Sequence, residues 1–435
     1  RRSWGKVEAI VDTVWYSPWG PVVHRRLDRI PRPLFGKARE VPIDAAMRWI
    51  AYEPSNEALT FYYLNRAASL QDYKKALSFF GSPAQNFVYA DTAGHIAVWA
   101  RGYYPLRWRE QGKFVLDAEV PEHHWRDWLP MEANPHMIDP PEGFVRSANT
   151  QPAGPEYPYY LGWYFALPGR AARIAERLAT MQKATVDSMR LLQLDTWGYI
   201  PACALPVMLS YLRSKNSRYL DSLQAWDYHY RGHQIAPTLF EWWWAAFHRR
   251  LWDEVPARLP EWDVSLAVLL ASAKADSLKK TSPYQRWIDD SRTPQVETLQ
   301  DLLEQSFMEV EERVSGSPDS LLVWWRVRGN HLRHLGRIPG LGGDTLRADG
   351  NGQVVNAIGS SAGPSWRMVV DLKPPVQGYG IYPGGQSGNP GSYQFDAWVK
   401  DYEAGKLYRH YFYREAGAFG AHERVGVSIG TPAGK

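Results

Sequence analysis

Apolar and polar positions alternate most clearly along residues 85–101, which read QNFVYADTAGHIAVWAR. Two runs rich in β-branched and aromatic residues flank a polar turn at Thr92–Gly94, a pattern that predicts a β-hairpin. The first strand is apolar on both of its faces. A strand of this kind is typical of a sheet that is covered on both sides, so we expect cover on both faces here.

The middle of the chain has the 3.6-residue spacing of apolar side chains that predicts helices. This spacing runs through residues 171–178 and 296–310, and residues 185–212 read as two further helices. The aromatic-rich stretch 240–252, FEWWWAAFHRRLW, lies between them. Ahead of this region we expect one helix from Glu57 and a second from about Ser69, where Asp72 has the spacing of a capping box.

Short strands are predicted toward both ends of the chain, with the helices between them. The sequence thus predicts an α+β protein with a helical excursion in the middle. We divide it by sequence pattern and composition into a sheet-rich part (1–170), a helical part (171–335) and a Gly-rich sheet part (336–435). The predicted terminal elements are strands in 7–23, 45–52, 352–361, 365–372 and 378–385, and a helix over 393–403.

Charge and composition exclude several classes of function. The chain has 50 basic and 46 acidic residues without a long run of one sign, which offers no footprint for nucleic acid. Cys203 is the only cysteine, so disulfides and cysteine-based metal sites are excluded. No stretch reaches the roughly 18 uninterrupted apolar residues of a membrane span. Twenty-one Trp and 25 Tyr residues suit a large core or a pocket for an apolar ligand.

Five segments, taken in order, resemble the penicillin acylase family of N-terminal-nucleophile hydrolases. They are QNFVYADTAGHIAVWARGYYPLR, FVRSANTQPAGPEYPYYLGWYFALPGRAARIAERL, TVDSMRLLQLDT, GGDTLRADGNGQVVNAIGSSAGPSWRMVVDL and YPGGQSGNPGSYQFDAWVKDYEAGKLYRHYF. The resemblance implies a four-layer αββα fold, here incomplete, and a precursor that cuts itself into an α chain and a β chain. It also implies that the protein is periplasmic or secreted.

The family's nucleophile is the new N-terminal serine of the β chain, with its own α-amine as the base. A serine hydroxyl needs such a base, and an α-amine with a pKa near 8 can accept its proton at neutral pH. Nothing in this sequence matches the family's Ser-Asn start, and Ser3 is no substitute. We therefore expect the nucleophile upstream of Arg1, and expect the α chain and the first β-chain segment as partners.

Two polar residues match the family's catalytic positions. Asn149, in SANTQ, matches the asparagine whose side-chain N–H helps to bind the oxyanion; otherwise it would be a loop residue before a Pro-rich turn. Arg170 matches an arginine near the nucleophile's amine and the substrate. Arg173 competes for this role because the neighbouring gap is ambiguous, and either could simply be an exposed helix arginine.

The resemblance also matches three residues to the family's acyl pocket: Phe61, Gln85 and Phe87. Phe61 falls where an aromatic residue lines the pocket, and Phe87 could equally belong to the core. Gln85 falls where some relatives have an apolar residue. Because Gln85 is polar, it argues against an aromatic acyl group such as that of a phenylacetyl penicillin.

No cofactor is expected for catalysis. Many family members bind one structural Ca²⁺, which the resemblance also allows here, but a key carboxylate would fall near Leu161 and the ligand set cannot be read.

Three other patterns are weaker than they look. GQSGN (385–389) differs from a nucleophile elbow in its last residue, ADGNG (348–352) reads as a hairpin turn, and the set His123, His124, Asp127 and His136 lacks metal-ligand spacing.

The predicted function is therefore hydrolysis of a linear amide of an acylated amine, such as a penicillin-type side chain. An acylase for N-acyl homoserine lactones or other lipid-like amides would use the same machinery with a longer apolar pocket. A non-catalytic relative that only binds amides is the alternative from another class. The residue after the cleavage point decides this last case, since only Ser, Thr or Cys supplies a nucleophile.

Overall fold

Helices and strands are mixed along the whole described part of the chain. The computed structural model describes residues 2–3, 6–7, 13–23, 45–213, 217–252, 288–289, 292, 294–334 and 336–411. They belong to two compact units, Arg1–Ala166 and Leu167–Lys435. The predicted mixture of α and β elements and the helical middle are confirmed, whereas the three-part division by sequence pattern and composition stays a prediction.

In its described residues, the first unit contains three small antiparallel sheets and two α-helices. Its strands pair in the orders β1–β2, β3–β4–β5 and β6–β7–β8. The elements are β1 (Arg2–Ser3), β2 (Lys6–Val7), β3 (Tyr16–Ser17), β4 (Gly20–Val23), β5 (Ala45–Ala46), α1 (Glu57–Leu64), α2 (Leu70–Leu77), β6 (Gln85–Ala90), β7 (Ile96–Arg101) and β8 (His136–Ile138).

The predicted hairpin is the β6–β7 pair. Phe87 lies opposite Trp99, which lies opposite His136 of β8. The turn is held by Asp91, whose Oδ1 accepts hydrogen bonds from the backbone N–H groups of Ala93 and His95 at 2.9 and 3.0 Å. An aspartate at this place stabilises a turn by occupying backbone donors that the ladder leaves open. The hairpin and its polar turn are confirmed.

The two faces of this sheet differ in exposure among the described residues. One face packs under α2 through buried Tyr73 and Leu77. On the other face Val88, Val98 and Met137 lie side by side. Val88 is 61% exposed and Met137 48% exposed to solvent. The described residues place no layer over Val88, so cover on this face of β6 stays a prediction.

Helix α2 begins as its sequence predicts. The Ser69 side chain accepts a hydrogen bond from the N–H of Asp72 at 3.2 Å. In return, Oδ2 of Asp72 accepts from the hydroxyl of Ser69 and from the N–H of Ala68. These contacts occupy N–H groups that have no partner within the helix.

The second unit is built mainly from helices, with a three-stranded sheet ordered β11–β10–β9. Within the described residues, no helix is long and apolar enough to cross a bilayer. The elements are α3 (Gly169–Ala179), α4 (Val186–Gln193), α5 (Tyr199–Ser210), α6 (Arg218–Gln224), α7 (Ala236–Leu251), α8 (Leu299–Val314), α9 (Asp319–Leu322), α10 (Trp324–Arg328), β9 (Arg367–Asp371), β10 (Gln377–Ile381), α11 (Val399–Glu403) and β11 (Tyr408–His410).

The aromatic stretch in α7 forms the core of this unit. Trp243, Phe240 and Phe247 are almost completely buried and belong to one apolar cluster with residues of α8. The indole N–H of Trp243 donates to the carbonyl of Leu303 and to the hydroxyl of Ser306, both at 3.1 Å. A buried tryptophan needs such a partner for its one polar atom. Trp243 therefore serves the packing of this core.

Two predicted C-terminal elements differ from the structure. Residues 352–361 contain no strand, although Val354, Asn356 and Ile358 are buried in alternation. The backbone N–H of Asn356 donates to the carbonyl of Asp195 at 2.8 Å instead of to a strand partner. The last helix begins at Val399 rather than at 393, because turns occupy the residues before it.

Candidate active site

Asn149 lies in an exposed bend of the first unit. Its φ of +62° is in the left-handed region, which asparagine tolerates better than other residues with a Cβ. The carbonyl of Asn149 accepts a hydrogen bond from the N–H of Ala166 at 2.8 Å. This backbone contact joins the bend at Asn149 to the residue that ends the first unit.

Arg170 is the second residue of α3, in the second unit. Its side chain is half-buried, and this burial lowers the pKa of the guanidinium from its ordinary value. Removing a cation from water is costly, so such a residue is unusual for an exposed helix surface. The structure thus places Arg170 in a desolvated position.

Arg173, one turn further along α3, is committed to an ion pair. Its Nε and Nη2 each lie 2.9 Å from Oδ2 of Asp195, and its Nη1 donates to Glu176 at 3.0 Å. Burial lowers the pKa of the Arg173 guanidinium, but the hydrogen bonds to Asp195 and Glu176 outweigh it and raise the pKa. The other oxygen of Asp195 accepts from the N–H of Trp197 at 2.9 Å.

Three phenylalanines meet beside the start of β6. The rings of Phe61 and Phe87 are 6.5 Å apart, and Phe80 lies against both, at 6.3 and 4.8 Å. Phe80 is 3% exposed, whereas Phe61 is 53% exposed. The structure therefore brings two of the three predicted acyl-pocket residues together around Phe80. Residue-type spacing gave no signal for Phe80, since its neighbour Phe79 is equally apolar.

Gln85 is exposed at the first position of β6, two residues before Phe87. Alternation along a strand puts both side chains on one face of the sheet. Opposite Gln85 in the ladder is Arg101, which is buried. The Arg101 guanidinium donates to the carbonyl of Leu77 at 2.9 Å and to Oδ1 of Asn134 at 3.0 Å.

The weaker candidates have structural partners. Ser387 lies in a loop, where its hydroxyl accepts from the N–H of Asn389 at 3.1 Å. His124 stacks on Trp19 and His136 stacks on Trp99. Among the described residues no group of three or more His, Cys, Asp or Glu side chains could hold a metal ion.

The place where the resemblance puts a calcium ligand is occupied by other contacts. The carbonyl of buried Leu161 accepts a hydrogen bond from Nη2 of Arg107 at 2.7 Å. That guanidinium also lies 5.4 Å from the ring of Tyr160. In the ADGNG segment, Oδ1 of Asp349 accepts from the N–H of Gly232. The Leu161 carbonyl is thus held by a side-chain cation, and the structural Ca²⁺ that the resemblance allows stays a prediction.

A family model described as Penicillin amidase matches residues 5–418. The chain belongs to the penicillin amidase family. Penicillin acylase 2 proenzyme of Pseudomonas sp. (strain SE83) is 39% identical over 111 residues, which cover 26% of this chain and 14% of that protein. An acyl-homoserine lactone acylase, QuiP of Pseudomonas aeruginosa, is 27% identical over 416 residues, covering 82% of this chain and 48% of that protein.

The QuiP relative of Pseudomonas fluorescens is 24% identical over 430 residues, covering 90% of this chain and 51% of its own length. This penicillin amidase family chain thus spans about half the length of its QuiP relatives. Among solved structures, a thermostable penicillin G acylase from Alcaligenes faecalis superposes with a TM-score of 0.64 at 16% identity, covering 94% of this chain and 77% of that one. The chain therefore shares the N-terminal-nucleophile hydrolase fold.

Proposed function

We propose that the protein carrying this chain is an acylase that hydrolyses the linear amide bond of an acylated amine, such as a penicillin-type side chain. Family membership over residues 5–418 supports an amide substrate. The observation that carries the proposal is the state of Asn149, which is exposed and held by its backbone in a left-handed bend. From this position we propose that the side-chain amide of Asn149 donates to the developing oxyanion.

In the proposed reaction, the hydroxyl of an N-terminal serine attacks the amide carbonyl while its α-amine accepts the proton. The carbonyl oxygen becomes an oxyanion and accepts a hydrogen bond from Nδ2 of Asn149. The amine product leaves with the transferred proton, and water then hydrolyses the acyl-serine ester. We place the serine outside residues 1–435, which is supported by the chain's coverage of about half of the QuiP relatives.

Arg170 is proposed to stand near the α-amine and the substrate. A guanidinium keeps its charge at all working pH values, and its field disfavours protonation of a neighbouring amine. The base would then be neutral, and so able to accept a proton, at a lower pH. The desolvated position of Arg170 and the commitment of Arg173 to Asp195 support this choice between the two.

The acyl group is proposed to lie against Phe61 and Phe87, with Gln85 at the same face of β6. A second candidate is the acylase for N-acyl homoserine lactones. It is favoured by the relatives that cover 82% and 90% of the chain, both named acyl-homoserine lactone acylases. The four-layer αββα arrangement, precursor cleavage and a periplasmic or secreted location are further parts of the proposal.

Hydrolysis of paired chromogenic anilides tests the function. The mature protein, with its N-terminal residue determined by sequencing, is assayed on phenylacetyl and octanoyl anilides and on an N-acyl homoserine lactone. Turnover of any of these by an N-terminal serine supports the acylase. An N-terminal residue other than Ser, Thr or Cys, together with binding but no turnover, would instead establish the amide-binding alternative.

A further inference from the structure

One carboxylate oxygen, Oε1 of Glu57, binds the segment that leads into β6. Glu57 is the first residue of α1, and its Oε1 accepts hydrogen bonds from the N–H of Gly81 at 3.1 Å and of Ser82 at 2.9 Å. The hydroxyl of Ser55 donates to the same oxygen. These contacts join residues that are 24 and 25 positions apart in the chain.

Further contacts fix the position of Gly81 in this segment. The carbonyl of Gly81 accepts a hydrogen bond from the N–H of Tyr103 at 2.7 Å, so Gly81 is fixed on both its polar groups. A methyl group on Gly81 would lie 2.6 Å from the Tyr103 ring and 2.8 Å from Cβ of Ser55. Phe80 immediately precedes this glycine, and Gln85 follows it by four residues.

Glu57 also shares a helix face with a pocket residue. Phe61 is four positions further along α1, and residues at this spacing lie on the same face of a helix. Glu57 therefore holds the Gly81 segment against the face that carries Phe61. Its hydrogen bonds, first that from Ser55 and then that from Ser82, lower the pKa of the Glu57 carboxyl to about 2. The charged acceptor is thus present throughout the pH range of an enzyme assay.

We propose that Glu57 is a positioning residue that sets acyl-group selectivity, because it fixes Phe61 relative to Phe80 and Phe87. This inference rests on the proposed acylase function, with the acyl group seated on these rings. In this proposal Glu57 acts through the position of the rings and not by contact with the substrate. Its removal should therefore loosen acyl-group binding while leaving the chemical step largely intact.

The test compares Glu57→Ala and Glu57→Gln with Asp72→Ala in the full mature protein. Asp72 is the matched control because it is also a first-turn carboxylate that accepts a backbone N–H, that of Ala68, but it lies on α2 instead of α1. Glu57→Ala should raise KM for the preferred anilide about tenfold with kcat changed less than about threefold, and should shift the phenylacetyl-to-octanoyl preference. Glu57→Gln, which keeps an acceptor oxygen, should recover part of both effects. Asp72→Ala should change the preference in neither direction.

An equal shift in Asp72→Ala, or an unchanged preference in a folded Glu57→Ala, would overturn the inference. A readout that needs no activity separates this outcome from failure of the acylase proposal. Hydrogen exchange at the amides of Gly81 and Ser82 should become at least about tenfold faster in Glu57→Ala, with the amides of β7 unchanged. If wild-type protein hydrolyses no acyl amide, the function fails while the exchange result still reports on the contact. Unchanged exchange would refute the contact itself.

Discussion

Arg173 and Asp195 form an ion pair in which Nε and Nη2 both lie 2.9 Å from one carboxylate oxygen. The two side chains are 14% and 7% exposed, so both charges are largely removed from water. The same carboxylate accepts the backbone N–H of Trp197, which begins the turn into α5. Arg173 therefore joins α3 to the segment between α4 and α5, and a role for it near a substrate is not needed to explain its presence.

Replacing one member of this pair should destabilise the protein. Arg173→Met leaves the Asp195 carboxylate buried without its cation, which typically costs about 3–5 kcal/mol. Chemical denaturation followed by fluorescence should show this loss as a lower midpoint. Arg177→Met is the matched control, because Arg177 is more exposed and lies 3.8 Å from the same oxygen, and it should cost less than about 1 kcal/mol. Equal losses in both variants would contradict the structural role of Arg173.

Arg170→Gln should instead act on catalysis. Without the positive charge, the α-amine would hold its proton to a higher pH, so the acidic limb of the pH dependence of kcat/KM should move upward. KM should also rise, because a positioning cation is lost. Arg170→Lys keeps the charge and should leave the acidic limb close to that of wild type. An unshifted limb in Arg170→Gln would remove Arg170 from the proposed site.

The elements that sequence predicted best are those whose signals are local. The turn between β6 and β7 and the cap at Ser69 depend on side chains within a few residues of the backbone groups they satisfy. The segment 352–361 is not the predicted strand, although its buried side chains alternate as they do in a strand. Its hydrogen bonds run to distant residues such as Asp195, and no local pattern encodes such partners.

The residues of the candidate active site likewise depend on contacts between distant parts of the chain, which no local pattern encodes. Phe61 and Phe87 were predicted from motif resemblance, and their proximity is visible only in the folded unit. Glu57 was read from sequence simply as the start of a helix. Its partners Gly81 and Ser82 are ordinary loop residues whose backbone N–H groups carry the contact, so the side-chain sequence contains no sign of it.

The His95–Asp139 pair should make stability depend on pH. Nδ1 of His95 lies 2.8 Å from Oδ2 of Asp139, and this hydrogen bond raises the pKa of His95 above its ordinary value near 6.5. Protonated His95 is therefore favoured in the folded state. The stabilisation is complete below about pH 6.5 and is lost as pH rises through the raised folded-state pKa.

The difference in melting temperature between wild type and His95→Gln should accordingly be larger at pH 5.5 than at pH 9. Both proteins keep the contact of Asp139 with the N–H of Ile96, so the difference reports on the histidine charge. A difference that grows toward pH 9 would have the wrong sign and would contradict the assignment.

Removal of calcium should not destabilise the region around Leu161. The Leu161 carbonyl accepts a hydrogen bond from the Arg107 guanidinium at 2.7 Å, so this contact does not require a metal ion. Treatment with EDTA should leave the melting temperature unchanged, whereas Arg107→Met should lower it. A fall after EDTA that Ca²⁺ reverses and Mg²⁺ does not would show instead that the family's calcium site is present.

The most direct test of the whole account is the turnover of Asn149 variants in the mature protein. Asn149→Ala alone is ambiguous, because alanine is strained at a φ of +62°. Asn149→Gly relieves this strain, and Asn149→Asp keeps the shape while removing the N–H donor. Both should lower kcat by about 10²–10³ with little change in KM, measured on protein whose precursor cleavage is complete. A near wild-type kcat in Asn149→Gly would contradict the account, since the oxyanion would then be held without Asn149.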